Sequence, residues 1–452
     1  MPTWIKSTVS KLAIIFLGCF VYGIYSLIIV GPVYGFYLYE LVYFLNPGNR
    51  WWSASLPNLS YSFVVVFLML VMFFIKRKEH VLNTIQTMPQ AKWFILVFIT
   101  YFIVGFFAIS HEIHQRYLFD LFKLYIVMFV AYRVLDTNKK LETALFIYLI
   151  GAAYIGYEAF SVGRNSLGRV EGIGMVDVPE ANGTAAALVP AIPILVYFFW
   201  SKPWKTKLFV SVLGVFIANG LVLINSRGAF LGAAVGFGYF LMYMFFSKYK
   251  LPKQRMMIIF LIMASFAGVI RIADDAFWER MNTIKGSSIT NTESSGGRRM
   301  NFWVATFDML EDHPFGLGIY GYQILSPLYL DESLLDSHFR STNMRAVHSM
   351  WFQGLAEIGW LGALFFLFLL KSIFKQLKQA KKKLVNSKLY KNYYFLISLE
   401  AGLLGYMVAG SFINAFRTEI FYWMIIFCII GSSIVMHREN TDEPVKKGED
   451  GE

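Results

Sequence analysis

The chain alternates long apolar runs with short polar segments. Most runs are about as long as an α-helix needs to cross the ~30 Å hydrocarbon core of a bilayer. Lipid cannot satisfy exposed backbone groups, so successive runs of this kind predict an all-α, polytopic membrane protein. The apolar runs lie at residues 12–46, 60–75, 93–110, 117–135, 142–161, 181–200, 208–224, 228–246, 256–272, 347–370, 393–412 and 419–436.

The first run, 12–46, is long and is interrupted by Gly31-Pro32, so its pattern alone leaves open one broken crossing or two. Cytoplasmic loops are enriched in lysine and arginine. This bias predicts that the basic segment 76–78 is cytoplasmic, and likewise the N-terminus with Lys6 and Lys11. Both conditions require an odd number of crossings within 12–46. We therefore predict about twelve transmembrane helices, with both chain ends inside.

This topology divides the chain into four parts. Residues 1–272 hold the first nine spans, 273–346 form an external segment, and 347–436 hold the last three spans. The basic stretch 371–391, with apolar residues between its lysines, predicts an amphipathic helix on the cytoplasmic surface. The polar tail 437–452 is predicted to be disordered.

The external segment 273–346 has six basic and ten acidic residues. A structureless loop of this length would be unusual. Asn301–Leu310 has helical apolar spacing, and Pro314 to Gly318 would end such a helix, whereas Ser287–Gly297 looks mobile. We therefore predict a small helical cap over the outer face.

Composition agrees with this class. The chain is 57% hydrophobic and 15% charged, against about 25% charged in ordinary globular domains. The net charge of +12 follows from basic inner loops that face anionic membrane lipids, so no nucleic-acid partner is expected. Cys19 and Cys428 lie in apolar runs and have no metal-ligand spacing. No acidic or histidine metal motif is present, which predicts a metal-independent and cofactor-free protein.

Arginines gather at the predicted outer ends of the spans, against the positive-inside trend. Each could extend its charge to a phospholipid phosphate, which is a common arrangement. Alternatively, they share an anionic ligand such as a pyrophosphate, because guanidinium groups match phosphate oxygens well. The candidates are Arg164, Arg169, Arg227, Arg298, Arg299 and Arg345.

His348 begins the stretch HSMWFQGLAEIGWLG, where the external segment meets an apolar run. A neutral imidazole is a good proton acceptor, since its unperturbed pKa is about 6.5. The alternative is an interfacial histidine that only binds lipid headgroups. Gly354, Gly359 and Gly362 follow it and would let neighbouring helices approach closely. Asp120 with Lys123, and the intramembrane acids Glu357 and Glu400, are expected to be paired structurally.

Two motifs carry a family resemblance. His348-Ser349 followed by Gly359 and Gly362, and Arg227 followed by Leu231, have the spacing of two signatures of the O-antigen ligase and polymerase superfamily. The chain resembles this superfamily from about residue 40 to residue 375. Finer features resemble its exosortase-associated O-glycosylation ligase subgroup, although the pattern departs from that subgroup at Asn182-Gly183. These features are Asn46-Pro47, Phe277-Trp278-Glu279-Arg280-Met281, and Gly297-Arg298-Arg299 with Trp303 and His313-Pro314.

The resemblance implies an inverting, metal-independent glycosyltransferase of GT-C type in the bacterial inner membrane, acting on the periplasmic side. Its donor would be a glycan on undecaprenyl pyrophosphate. The arginines, namely Arg169, Arg227, Arg298, Arg299 and Arg345, would bind the pyrophosphate, and His348 would take the acceptor proton. The acceptor would be lipid A-core, a protein hydroxyl or another glycan, the last defining a polymerase. The alternative class is a lipid-linked glycan transporter or flippase. The short loop at 201–207 and the absence of an internal repeat disfavour that class.

Overall fold

The computed structural model describes residues 10–166, 168–249, 253–286, 295–335 and 344–437. Every regular element in these ranges is helical. The α-helices are α1 Lys11–Ile29, α2 Val33–Leu45, α3 Tyr61–Ile75, α4 Ala91–Val104, α5 His111–Val134, α6 Asn138–Val162, α7 Ala181–Leu188, α8 Ala191–Ser201, α9 Trp204–Ile224, α10 Arg227–Phe246, α11 Gln254–Ile272, α12 Asp275–Gly286, α13 Ser295–Asp312, α14 Gly321–Tyr329, α15 Met350–Asn386, α16 Tyr390–Gly410 and α17 Glu419–His437.

Each predicted span contains a helix, and 12–46 and 181–200 each contain two. Within the described residues, nine helical stretches are long and apolar enough to cross a membrane, with α7 and α8 counted as one. Two shorter apolar helices, α3 and α4, add to these. The chain is therefore a multi-pass membrane protein. The predicted count of twelve crossings is not confirmed.

The helices run between two ends of one bundle. We call the end with Arg227 and His348 the arginine end, and the opposite end, with Lys76 and Lys381, the lysine end. Helices α10 and α16 cross the bundle in opposite directions and pack with their backbones nearly touching. A Cβ added at Gly232 would lie 2.4 Å from the carbonyl oxygen of Gly405. Close packing of this kind is what a stripe of small residues provides in a membrane.

The structure of the first apolar run differs from the predicted topology. Gly31 has φ +156° and Pro32 caps α2, so the chain reverses there. Gly23 of α1 packs against Leu38 of α2, which makes the two helices an antiparallel pair. The Lys76 ammonium donates to the carbonyl of Val30 at 2.9 Å, at the lysine end.

The start of α1 therefore lies at the arginine end, where Phe16 contacts Trp52 with ring centroids 5.5 Å apart. The prediction that the N-terminal side of this run shares a face with residues 76–78 is wrong. The odd number of crossings inferred for 12–46 is wrong for the same reason. Helix packing decides the orientation here, and two lysines near a chain end were weak evidence beside it.

The long helix α15 is bent at Gly359, whose φ of +62° is left-handed. The bend leaves the carbonyls of Ala356 and Glu357 to accept hydrogen bonds from outside the helix. The backbone N–H groups of Leu317 and Gly318 donate to them at 2.8 and 3.2 Å. A Cβ at Gly359 would lie 2.6 Å from the Phe315 carbonyl carbon, so glycine is required here.

Beyond the bend, α15 continues without interruption to Asn386. The basic segment 371–391 is therefore mostly the end of this helix, and a separate surface helix is not observed. The helix is amphipathic as predicted, because Ile373, Leu377 and Leu384 form a buried stripe. The exposed lysines lie on the other faces.

The segment between α11 and α15 is helical in its described parts. The predicted helix at 301–310 is confirmed within α13. Phe302 and Met309 of α13 pack with Tyr322 of α14 and with Val347 just before α15, forming a separate small core. Residues 287–294 of the stretch predicted to be mobile, and residues 438–452 of the tail, lie outside the described residues.

The intramembrane acids are paired, as the sequence predicted. Arg417 Nε donates to Glu357 Oε2 at 3.0 Å, and Lys381 forms a short ion pair with Glu400. Lys123 and Asp120 are 2.7 Å apart on an exposed face of α5.

Candidate functional site

His348 occupies a conformation that a non-glycine residue rarely adopts. Its φ is +53°, in the left-handed region, and it lies two residues before α15. Its backbone N–H donates to Asn414 Oδ1 at 2.9 Å. Asn414 belongs to the loop between α16 and α17. This hydrogen bond offsets part of the strain, which is about 1–3 kcal/mol for such a backbone, and fixes where the imidazole points.

The surroundings of His348 keep its ring neutral. Burial lowers its pKa to about 4, and the positive charges of Arg299 and Arg345 lower it in the same direction. The imidazole is therefore unprotonated at neutral pH. A neutral ring with a free lone pair can accept a proton from a hydroxyl group.

Four arginines converge at the arginine end, and one of them, Arg299, is close to His348. Burial, together with the neighbouring charges of Arg169, Arg227 and Arg299, lowers the pKa of Arg280 to about 10. Burial also lowers the pKa of Arg299, with Arg227 as its charged neighbour. Burial again dominates for Arg169, whose pKa is lowered partly by Arg227. We call Arg169, Arg227, Arg280 and Arg299 the arginine cluster.

Two contacts bring α10 and α13 together in this cluster. The Arg299 guanidinium lies over the Phe412 ring, 5.8 Å from its centroid. A Cβ at Gly228 would be 3.2 Å from Phe412, so the residue after Arg227 packs on the same ring. Phe412 thus contacts Arg299 directly and packs against the start of α10 beside Arg227. Arg299 also connects the arginine cluster to His348, because its positive charge lowers the pKa of the histidine.

Of the other two arginines, Arg169 is held by a hydrogen bond and Arg280 is placed by the packing of its helix. An Arg169 guanidinium nitrogen donates to Asn182 Oδ1 at 2.9 Å. Arg280 lies on α12, which is tied to the start of α10. Asn225 Nδ2 donates to the Ala276 carbonyl at 3.1 Å, and the rings of Phe230 and Phe277 are 4.9 Å apart.

Three other predicted or considered arginines lie elsewhere. Arg298 is exposed on α13, although it adjoins Arg299 in sequence. Arg345 Nε donates to the Leu334 carbonyl at 2.9 Å, and its charge acts on His348 rather than on the cluster. Arg164 is paired with Asp274 at 2.6 Å.

Sequence reasoning missed two residues of this site. Arg280 stood in the quoted motif from Phe277 to Met281, yet it was not named as a site residue. Asn414 carried no signal of its own, because its role depends on a contact across 66 residues. No three His, Cys, Asp or Glu side chains in the described part of the chain are grouped to hold a metal ion. Metal independence stays a prediction.

The helices and the cluster define a multi-pass membrane protein with a cationic site at one end of the bundle. The model of the O-antigen ligase family matches residues 212–367. This match supports membership in the O-antigen ligase superfamily. The matched stretch runs from α9 into α15 and contains His348 and every cluster arginine except Arg169. A comparison with curated protein sequences gave no match.

Proposed function

We propose that the protein is an inverting, metal-independent glycosyltransferase of GT-C type. It would move a glycan from undecaprenyl pyrophosphate to an acceptor hydroxyl at the arginine end. The observation that carries this proposal is the convergence of the arginine cluster beside a neutral His348. A pyrophosphate needs several cationic donors, and an alcohol nucleophile needs a base. The site offers both.

The arginine cluster would bind the pyrophosphate of the donor. When the bond between the anomeric carbon and the phosphate oxygen breaks, negative charge grows on the leaving pyrophosphate. Fixed guanidinium groups in a partly desolvated site stabilise that growing charge more than the bound ground state. Arg299 and Arg227 are charged neighbours and would act together on one phosphate group.

His348 would accept the proton of the acceptor hydroxyl as its oxygen bonds to the anomeric carbon. The attack comes from the face opposite the leaving group, so the configuration at that carbon inverts. The leaving lipid pyrophosphate departs as an anion on the arginines. Asn414 would act as a positioning residue, since it touches only the backbone of His348.

The lysine-rich loops support a cytoplasmic location for the lysine end in the bacterial inner membrane. The arginine end would then face the periplasm, with the helices α12 to α14 as a cap over the site. The acceptor could be lipid A-core, a protein hydroxyl or a second lipid-linked glycan. The same arrangement serves a ligase and a polymerase, because only the source of the hydroxyl differs.

Turnover of His348 variants with a lipid-linked glycan donor tests the proposal. His348→Ala should cut turnover by about 10²–10⁴, the usual contribution of general acid–base catalysis. His348→Gln should be similarly slow, since glutamine can hydrogen-bond a hydroxyl but cannot take its proton. Donor binding should change little in either variant.

His111→Ala is a matched control. His111 also lies near the arginine end, but its ring is hydrogen-bonded to the Gly105 carbonyl and the Gln115 amide. It should retain turnover. A Gln variant at position 348 with wild-type turnover would remove the base from the mechanism, and loss of donor binding in the Ala variant would move His348 into the phosphate site.

A further inference from the structure

A second charged cavity lies at the lysine end, far from His348. It has a volume of about 470 Å³ and lies between α10, α15 and α16. Its polar lining includes Tyr239 and Tyr243 from α10 and Tyr393 from α16. Helix α10 has 20 residues, so its two ends are about 30 Å apart at 1.5 Å per residue. This cavity therefore does not belong to the site around His348.

Three lysines of α15 line this cavity: Lys378, Lys381 and Lys382. Lys381 is neutralised, because it is ion-paired with Glu400, and its ammonium lies 5.4 Å from the centre of the Tyr243 ring. Lys378 and Lys382 are one helical turn apart and exposed, and neither makes an ion pair with any described residue. The cavity thus carries a net charge of about +2 at neutral pH.

The rest of the lining is apolar or hydroxylic. Phe374 and Val385 lie on α15 on either side of the lysines and form an apolar wall. Tyrosine hydroxyls can donate hydrogen bonds to phosphate oxygens. A ligand that fits these walls has a phosphate anion, hydrogen-bond acceptors and a hydrocarbon portion.

We propose that this cavity binds the phosphate headgroup of an anionic glycerophospholipid from the leaflet at the lysine end. Lys378 and Lys382 contact the phosphate, Tyr393 donates to it, and an acyl chain lies along Phe374. Basic cavities between transmembrane helices are suited to such headgroups. The site is independent of the proposed transfer reaction, because it shares no residue with it.

The alternative is a basic surface that attracts anionic lipid without a defined site. Two double variants separate the two cases with the same change in net charge. Lys378→Gln with Lys382→Gln removes the two free charges of the cavity. Lys371→Gln with Lys375→Gln removes two exposed charges from the same helix outside it.

The experiment measures phosphatidylglycerol retained by the full-length protein in mixed micelles, by native mass spectrometry, as its mole fraction rises. Phosphatidylcholine and soluble glycerol phosphate serve as comparison ligands. A lysine that hydrogen-bonds the phosphate directly contributes at least about 1 kcal/mol, or roughly a fivefold change in affinity. The cavity variant should therefore need about 25-fold more phosphatidylglycerol, and the surface variant should stay near wild type.

Equal losses in the two double variants would overturn the proposal in favour of a general surface effect. Equal binding of phosphatidylcholine would also overturn it, because that lipid has no net charge. Glycerol phosphate that competes at the same concentration as the lipid would overturn the assignment to a membrane lipid. Glycan transfer is measured in parallel, and it should survive in the cavity variant.

Discussion

Replacing Arg299 with glutamine tests the link between the arginine cluster and His348. Glutamine keeps hydrogen-bonding capacity but removes the charge. The neighbouring residue gives a matched control, since Arg298→Gln changes the net charge by the same amount on the same helix. Arg298 is exposed, whereas Arg299 is half-buried over Phe412. A general effect of surface charge would affect both variants alike.

Two effects of Arg299→Gln can be estimated. A hydrogen bond to a charged group contributes about 1.5–3 kcal/mol, which corresponds to roughly a 10- to 150-fold loss in kcat/KM for the donor. Arg299 is also the neighbouring charge that lowers the pKa of His348 most, after burial. Removing it should raise that pKa from about 4 toward its ordinary value of about 6.5.

The assay is donor kcat/KM measured from pH 4 to pH 8, because this quantity reports the ionisation of the free enzyme. The base form of His348 exists above its pKa. The wild-type rate should therefore be flat near neutral pH and fall only as pH approaches 4. In Arg299→Gln the fall should begin at higher pH, while Arg298→Gln should match wild type within about twofold. Equal losses in both variants, or an unshifted acid limb in Arg299→Gln, would refute this reasoning.

Three further predictions concern the same fold and site. Asn414→Ala should lower kcat about tenfold with little change in donor KM, because His348 loses the acceptor that holds its strained backbone, worth about 1 kcal/mol or more. Asn414→Asp should restore much of the rate, and a change in KM alone would contradict the positioning role. Transfer should persist in EDTA, since catalysis is assigned to side chains; activity that is lost and then restored by Mg²⁺ would overturn metal independence. In a cysteine-free background, cysteines at Lys11 and Asn49 should react together with an impermeant reagent, and one at Lys78 should not. If positions 11 and 78 reacted alike and position 49 behaved differently, the antiparallel arrangement of α1 and α2 would be contradicted.

Much of the fold could be predicted from local pattern. Each apolar run contains a helix, because lipid offers no hydrogen-bond partners to the backbone. A helix satisfies its backbone groups within the segment, so the local sequence is enough to predict it. The orientation of α1 could not be predicted in this way. It depends on the packing of Gly35 in α2 against Leu27 of α1 and Met69 of α3, from which an added Cβ would be 2.6 and 2.8 Å away. A count of flanking lysines does not contain that information.

The site could also be predicted only in part, because some of its residues are placed by contacts between distant segments. His348, Arg227 and Arg299 stand in recognisable spacing or at predicted span ends. Arg280 lies near two acids, Asp275 and Glu279, so its charge resembles an ordinary solvated one in sequence. Only the packing of α12 against α10 turns it toward the other arginines. Gly359 was attributed to helix packing, whereas its left-handed backbone bends α15 and lets the residue 315–318 segment bind the freed carbonyls.

The loop between α16 and α17 connects the halves of the proposed site, although it lies beyond the matched stretch 212–367. Asn414 holds the backbone of His348, and Phe412 lies under Arg299. The backbone N–H of Phe416 donates to Gln353 Oε1 at 3.0 Å, which ties the loop to the first turns of α15.

Arg417 completes this arrangement. It pairs with Glu357 through both carboxylate oxygens, at 3.1 and 3.0 Å, and its guanidinium lies over the rings of Tyr117 and Tyr320. The strong pairing raises the pKa of Arg417 despite its burial, so this arginine is engaged in structure and is not available for a phosphate. The segment from His348 to Gly359 is therefore fixed at both ends, by Asn414 at its start and by Arg417 and the 315–318 backbone near the bend. A base and an anion site that must meet one substrate need this rigidity, because a displacement of about 1 Å can cost a hundredfold in rate.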